Sequence, residues 1–134
     1  MDAPGALLAA ATLHLGFQLV VTAVVYPALV ATPPRDFPAA HTAHSRRITP
    51  VVAVVYGSVL AAWVWVAVSV PSSPHLWVAL AGTVLSGVST AVAAAPTHSR
   101  LGREGPRPAL LTRLRRADAV RLAGAVLTVA GALG

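Results

Sequence analysis

Two polar side chains with binding or catalytic capacity, His14 and Gln18, interrupt the first long apolar stretch of the chain. Residues four apart lie on one face of a helix. An imidazole and an amide are unfavourable in an apolar environment without partners, so both should face the interior of the fold. His14 is then an acid–base group, a metal or haem ligand, or a structural residue bonded to a serine or threonine on another helix. No second histidine lies in a comparable position, which disfavours haem with two axial ligands.

Three further histidines lie outside the apolar stretches, at His41, His44 and His98. His41 and His44 are three residues apart and would share a helical face. Three imidazoles can bind a divalent metal ion, so these residues form a candidate metal site. Histidines facing solvent or lipid headgroups explain the same pattern. Nothing in the sequence requires a cofactor, and a divalent metal is the one that these residue types would suit.

Each apolar stretch also carries a polar group near one end. Counting about 1.5 Å per helical residue from the arginine-bearing ends puts Tyr26 and Tyr56 at a similar depth, with Thr90 and Arg121 close to the same layer. Polar side chains at membrane depth tend to face the interior of a bundle and to mark function. The alternative is that the tyrosines belong to an aromatic belt and that Arg121 extends toward headgroups.

The elements that carry these residues are four apolar stretches at 7–31, 50–70, 76–95 and 118–134. The first three contain no Asp, Glu, Lys or Arg, and the chain has 56% hydrophobic residues, 10% charged residues and a mean hydropathy of +0.72. Uncharged runs of about 18 residues or more can cross a bilayer as helices. The sequence therefore predicts one domain, residues 1–134, that is an all-α, antiparallel four-helix transmembrane bundle. The fourth helix should begin before its apolar part, near Ala109.

The connection between the first two stretches predicts a short amphipathic helix at the membrane interface. Asp36 is placed to cap it, and Phe37, His41 and His44 would form one stripe that faces lipid or the bundle. Pro27 should bend the first span near its end. Small residues on the third span should allow another helix to approach closely; these are Gly82, Ser86, Gly87, Ser89 and Thr90.

Charge predicts the orientation. All ten basic residues are arginine, and the formal net charge is +6. Arginines concentrate in the first and third connections, whereas the second connection, 71–75, has none. By the positive-inside rule both Arg-rich connections face the cytoplasm and both termini lie outside the cell (inner) membrane. Arginines that flank apolar spans indicate lipid as the partner and exclude nucleic acid. No span contains an acidic residue, which argues against a proton- or cation-coupled transporter. Asp118 should pair with Arg115 or Arg121.

Four segments carry a family resemblance: YPALVATPP, AAHTAHSRRITP, AAAPTHSRLG and LLTRLRRADAVR. Together they resemble small bacterial four-helix integral membrane proteins related to the anthrone-oxygenase-like family. The resemblance implies a four-helix bundle and oxygenation of a lipophilic aromatic substrate without an obvious cofactor. The residues that match the shared pattern are Pro27, Pro96, His98, Leu101, Arg116, Asp118 and Arg121.

The leading hypothesis is a polar pocket, open toward the inner leaflet, that binds a lipophilic small molecule and, if the protein is an enzyme, oxidises it. The candidate catalytic residues are His98, His44, Tyr26 and Arg121. The candidate ligand-binding residues are His14, Gln18, Tyr56 and Thr90. One alternative is a non-catalytic membrane subunit or scaffold, in a homo-oligomer or with another membrane protein. The other is a metal-binding membrane protein that uses His41, His44 and His98.

Overall fold

The computed structural model describes residues 1–134 and contains four long helices and no strand. They are α1 (Ala3–Val30), α2 (Phe37–Ser69), α3 (Pro74–Glu104) and α4 (Pro108–Ala132). Short connections make consecutive helices antiparallel, so the predicted all-α four-helix architecture is confirmed. The connections 31–36 and 105–107 lie at one end of the bundle, which we call the Arg-rich end.

Three of the helices, α1, α2 and α3, are long and apolar enough to cross a membrane. The fourth does not meet the same measure, because Asp118 and four arginines lie within its residues 108–121. It nevertheless begins at Pro108, close to the predicted start, and ends at Ala132.

Helices α1 and α3 contain the same local irregularity. Each has one π-helical turn, Val21–Val25 in α1 and Thr90–Ala94 in α3, and a proline follows two residues later, Pro27 or Pro96. A proline in a helix lacks an N–H and crowds the preceding turn, and the wider π turn is one way to accommodate it. The disturbance expected at Pro27 therefore takes the form of a π turn, after which the helix continues to Val30.

Helix α2 differs from the prediction in one respect. The amphipathic segment between the first two spans is helical, but it is the first part of one 33-residue helix and continues through Pro50. Pro50 removes only one backbone donor, and both Pro50 and Arg46, whose carbonyl loses its partner, are exposed. The stripe faces the bundle, since Phe37 and His41 are 1% and 6% exposed. Asp36 is at the cap position, although its side chain makes no capping hydrogen bond.

Helices α3 and α4 pack backbone against backbone. A Cβ atom added at Gly82 would collide with the backbone of α4 at Gly124 and Thr128, and one added at Gly131 would collide with the backbone of α3 at Ala79. The expectation that small residues of the third span allow close approach is confirmed for Gly82. A Cβ at Gly87, by contrast, would meet nothing within 4 Å. Since Gly82 and Gly131 meet their partners on different turns, α4 follows α3 to the end opposite the arginines.

Hydroxyl groups of α3 reinforce this contact. Ser86 donates to the carbonyl of Arg121 at 2.8 Å, and Ser89 donates to the carbonyl of Ala117 at 3.1 Å. Both serines are buried. A hydroxyl in an apolar interior must be hydrogen-bonded to avoid a penalty, so the two bonds also fix the position of α4 relative to α3.

Two apolar clusters form the core, one at each end of the bundle. The cluster near the Arg-rich end includes Phe37, Leu101 and Leu114. The cluster at the other end includes Leu7, Val59 and Val66. On α1, the polar residues His14 and Gln18 lie between the parts of the helix that enter the two clusters. His14 and Gln18 are 1% and 0% exposed, so they face the interior of the bundle as predicted.

Candidate functional site

A cavity of about 560 Å³ lies in the bundle toward the Arg-rich end, and all four helices line it. Its apolar walls include Phe17, Val21 and Val52. Exposed residues such as Arg46 and Ser99 stand at its mouth. Six of the eight predicted catalytic and ligand-binding residues line the cavity: Tyr26, His44, Tyr56, Thr90, His98 and Arg121. Its volume is in the usual range for small-molecule sites.

Arg121 is the central polar residue of the cavity and is 7% exposed. One of its nitrogens, Nη2, donates to Oδ1 of Asp118 at 3.0 Å and to the hydroxyl of Tyr26 at 3.1 Å. Its guanidinium also lies 5.7 Å from the centre of the Tyr26 ring. Gln18 donates from Nε2 to the same Asp118 oxygen at 2.6 Å. Gln18 does not line the cavity. It donates a hydrogen bond to the carboxylate of Asp118, which in turn is paired with Arg121.

His14 lies behind Tyr56. The two ring centres are 4.8 Å apart, and the hydroxyls of Tyr56 and Thr90 are hydrogen-bonded at 2.8 Å. His14 is 1% exposed, and neither of its ring nitrogens has a hydrogen-bond partner. The structure therefore does not supply the serine or threonine partner that the structural interpretation of His14 required. The contact of His14 with Tyr56 does bring the His14–Gln18 pair next to the polar layer that contains Tyr56 and Thr90.

The three histidines of the Arg-rich end form a cluster. His98 Nδ1 lies 3.3 Å from His41 Nε2, and the ring centre of His44 lies 5.6 Å from that of His98. Phe37 stacks on His41 with ring centres 5.5 Å apart. In this arrangement no group of three or more His, Cys, Asp or Glu side chains is placed to hold a metal ion. The metal site at His41, His44 and His98 stays a prediction.

The surroundings of the cluster favour neutral rings. His98 lies beyond the apolar segment of α3, and burial, with His44, His41 and Arg121 nearby, lowers its pKa to about 4. Burial also lowers the pKa of His41, and burial together with His41 lowers that of His44. At neutral pH His98 therefore carries one N–H donor and one acceptor nitrogen. This is the state in which an imidazole can pass a proton from one nitrogen to the other.

Asp118 is the residue whose role sequence reasoning underestimated. The expected pairing with Arg121 is confirmed, but the carboxylate is 4% exposed and belongs to the interior of the bundle. The prediction that no span contains an acidic residue is therefore wrong. The signal was available: if α4 begins near Ala109, Asp118 lies more than two turns inside the helix and shares a face with Arg121.

Several polar atoms of this layer are buried without a hydrogen-bond partner in the protein. They include Arg121 Nε, Gln18 Oε1 and both ring nitrogens of His14. Unpaired buried polar atoms are rare in native proteins, and each one needs an explanation such as a functional role or an ordered water or ion. Of these residues only Arg121 lines the cavity.

The geometry defines what the cavity can bind. Arg121 and Asp118 have opposite charges 3.0 Å apart, so a full negative charge on a ligand is not required to balance the site. Arg121 offers a hydrogen-bond donor, and Tyr26 and His98 can donate or accept. A scan of protein-family models and searches of curated proteins and of solved structures found no match to this chain.

Proposed function

We propose that this protein is an integral membrane protein that binds a lipophilic small molecule in the cavity toward the Arg-rich end. The observation that carries the proposal is a cavity that every helix lines, with apolar walls and with the buried polar residues Arg121 and Tyr26 in its lining. Polar groups in an apolar site are stabilised by hydrogen bonds, which an oxygen of a ligand in the cavity would supply.

The ligand we propose is uncharged or weakly acidic, largely apolar and equipped with one oxygen. Its apolar part would contact walls such as Phe17, Val21 and Val52. Its oxygen would accept from Arg121 and exchange a hydrogen bond with Tyr26 or His98. A strong acid is less suitable because Asp118 already neutralises Arg121. His44 would stand at the mouth, and Tyr56 with Thr90 would close the wall in front of His14.

Filling the cavity should remove the ligand. We expect Val52→Trp to lose the small molecule that co-purifies with the wild-type protein, because the indole would occupy the space of the ligand. The measurement is mass spectrometry of the organic extract of protein purified in mild detergent. Val54→Trp, two residues away on the same helix and 68% exposed, is the matched control and should retain the molecule. Equal recovery from both variants, or no enriched molecule in the wild type, contradicts the proposal.

Oxidation of the bound molecule is the reaction that the family resemblance adds. It is supported by the position of two residues of the shared pattern, His98 and Arg121, which both line the cavity, and by the ion pair of Asp118 with Arg121. Incubating the identified ligand with the protein and measuring both dioxygen uptake and the oxidised product tests this part. Binding of the ligand without its oxidation would show that the protein is a carrier and not an enzyme.

The scaffold alternative loses its main sequence support. Gly82, Ser86 and Ser89, the small residues that suggested a docking face, are used by α4 within the same chain. Gly87 remains on an open surface, but one small residue does not make a helix-docking face. We therefore rank ligand binding above a scaffold role.

The orientation we propose puts the Arg-rich end in the cytoplasm and both termini outside, with α4 as the fourth crossing. The chain has no cysteine, so single cysteines can be labelled without background. We expect Arg35→Cys and Arg103→Cys to react with a membrane-impermeant maleimide only after the cells are opened. Ser72→Cys, exposed in the other connection, should react in intact cells. Labelling of residues 35 and 103 from different sides would refute the arrangement.

A further inference from the structure

A continuous series of hydrogen bonds runs along the wall of the cavity toward the Arg-rich end, through residues that all line the cavity. The hydroxyl of Tyr26 lies 3.1 Å from Nε2 of His98, and Nδ1 of His98 lies 3.3 Å from Nε2 of His41. These residues come from α1, α3 and α2. Tyr26 and His41 are 5% and 6% exposed, so the series crosses the interior of the bundle.

Arg121 sets the direction of the series. A guanidinium has no acceptor atom, so the oxygen of Tyr26 accepts from Arg121. The other hydrogen-bond partner of this hydroxyl is His98 Nε2, and we assign it as the acceptor of the hydroxyl hydrogen. A neutral His98 that accepts at Nε2 carries its hydrogen on Nδ1, which donates to His41 Nε2. His41 then carries its own hydrogen on Nδ1. All three donors therefore point the same way, from Tyr26 toward His41.

The outer end of the series lies beneath Gly102. A Cβ atom added at Gly102 would lie 3.5 Å from Cε1 and 3.7 Å from Nδ1 of His41. Gly102 is exposed, so this glycine leaves room for solvent to approach His41 Nδ1 where a longer side chain would cover it. Around His98, the titratable and charged groups are Tyr26, His41, His44 and Arg121.

We propose that Tyr26, His98 and His41 form a proton path from a weakly acidic hydroxyl group, such as a phenol, bound in the cavity to solvent at the Arg-rich end. The inference rests on the proposed function and names the ligand class more closely. Tyr26 would be the catalytic acid–base residue, since it touches the ligand. His98 and His41 act through it.

The transfer balances in protons and charge. The ligand O–H bond breaks and its proton binds the oxygen of Tyr26, while the original Tyr26 proton moves to Nε2 of His98. The Nδ1 proton of His98 moves to Nε2 of His41, and the Nδ1 proton of His41 goes to water. The ligand is left as a phenolate beside Arg121, and each histidine ends in its other neutral tautomer. Return of the proton by the same route restores the starting state.

Nitrogen NMR of the histidine rings, in phosphatidylcholine nanodiscs at neutral pH, tests the geometry without a ligand. We expect His98 and His41 as the tautomers with hydrogen on Nδ1. Tyr26→Phe should shift the Nε2 signal of His98, because that nitrogen loses its donor. Tyr56→Phe removes a hydroxyl bonded to Thr90 and should leave His98 unchanged. Hydrogen on Nε2 of His98 in the wild type would overturn the path, whatever the cavity binds.

The transfer itself can be followed with para-nitrophenol, which changes colour when it ionises. We expect proton release from the bound probe after a temperature jump to slow at least about tenfold in Gly102→Leu and His41→Gln, measured at probe concentrations that saturate each variant. Ala91→Leu, exposed on α3, is the control and should keep the wild-type rate. Normal binding with unchanged rates refutes the path but not the cavity. Absence of probe binding to the wild-type protein refutes the assignment of phenols to this cavity, and with it the path.

Discussion

Asp118→Asn is expected to destabilise the bundle by about 3–5 kcal/mol, because it removes one charge of a buried ion pair and leaves the other without compensation. The side chains of Arg121 and Asp118 are 8% and 6% exposed. Asparagine keeps an oxygen that can accept the hydrogen bond from Gln18, so the loss of stability reports the removal of the charge. Unfolding by SDS in mixed micelles, followed by the fluorescence of the three tryptophans, gives the free energy.

A second substitution separates charge from packing. Asp118→Asn combined with Arg121→Met removes both charges and keeps a side chain of similar length on α4. We expect this double variant to recover most of the lost stability, since replacing a whole buried pair is often nearly neutral. It should still lose the ligand. An Asp118→Asn midpoint equal to that of the wild type would show that Arg121 is not confined by the carboxylate.

The surface offers a matched comparison for the same chemistry. Glu104 accepts from Arg100 at 2.8 Å and from Arg107 at 3.1 Å, at the exposed end of the bundle. Ion pairs in contact with water contribute little to stability. Glu104→Gln should therefore leave the unfolding midpoint close to that of the wild type. A loss as large as that of Asp118→Asn would mean that burial is not the cause.

Gly82→Ala is the second change with a large expected effect, about 1–3 kcal/mol of destabilisation from overpacking. Its new methyl group would collide with the backbone of α4 at Gly124 and Thr128, which cannot move as a side-chain end can. Either α4 shifts away from α3 or the helix distorts. Because Ser86 positions the carbonyl of Arg121, ligand retention should fall together with stability.

Gly87→Ala is the control for this change, on the same helix and with the same added atom. A Cβ at Gly87 meets nothing within 4 Å, and alanine is favoured over glycine in helices by about 0.5–1 kcal/mol. We therefore expect opposite signs for the two variants in the same SDS unfolding measurement. Equal effects at both positions would show that α3 and α4 are not in backbone contact.

The bundle and its polar layer could be predicted because both depend on local quantities. Apolar runs fix the number of helices, and the constant rise per residue gives the depth of Tyr26, Tyr56 and Arg121. The same counting does not tell which way a helix is rotated about its axis. The contact of Gln18 with Asp118 depends on that rotation, which the close packing of α3 on α4 sets through Gly82.

The two departures from expectation have related causes. Pro50 and Asp118 each looked like the boundary of a span, because a proline or a charge commonly ends an apolar helix. In the fold, α2 continues across Pro50 because Phe37 and His41 on its first turns are buried against the rest of the bundle. Asp118 is tolerated inside because Gln18 and Arg121 satisfy it. Both are tertiary effects. The residues that cause them are not neighbours in sequence of Pro50 or Asp118, with the exception of Arg121, which is three residues from Asp118.

The unequal joining of the helices has a consequence for how a molecule enters. Backbone contact locks α3 to α4, whereas α2 meets α3 through hydrogen bonds between side-chain tips, Tyr56 with Thr90 at 2.8 Å and Trp63 with Thr83 at 3.0 Å. These two hydrogen bonds can be broken by changes of side-chain rotamer alone, without movement of the backbone. We therefore expect a lipophilic ligand dissolved in the bilayer to enter the cavity laterally, between α2 and α3, without passing through water.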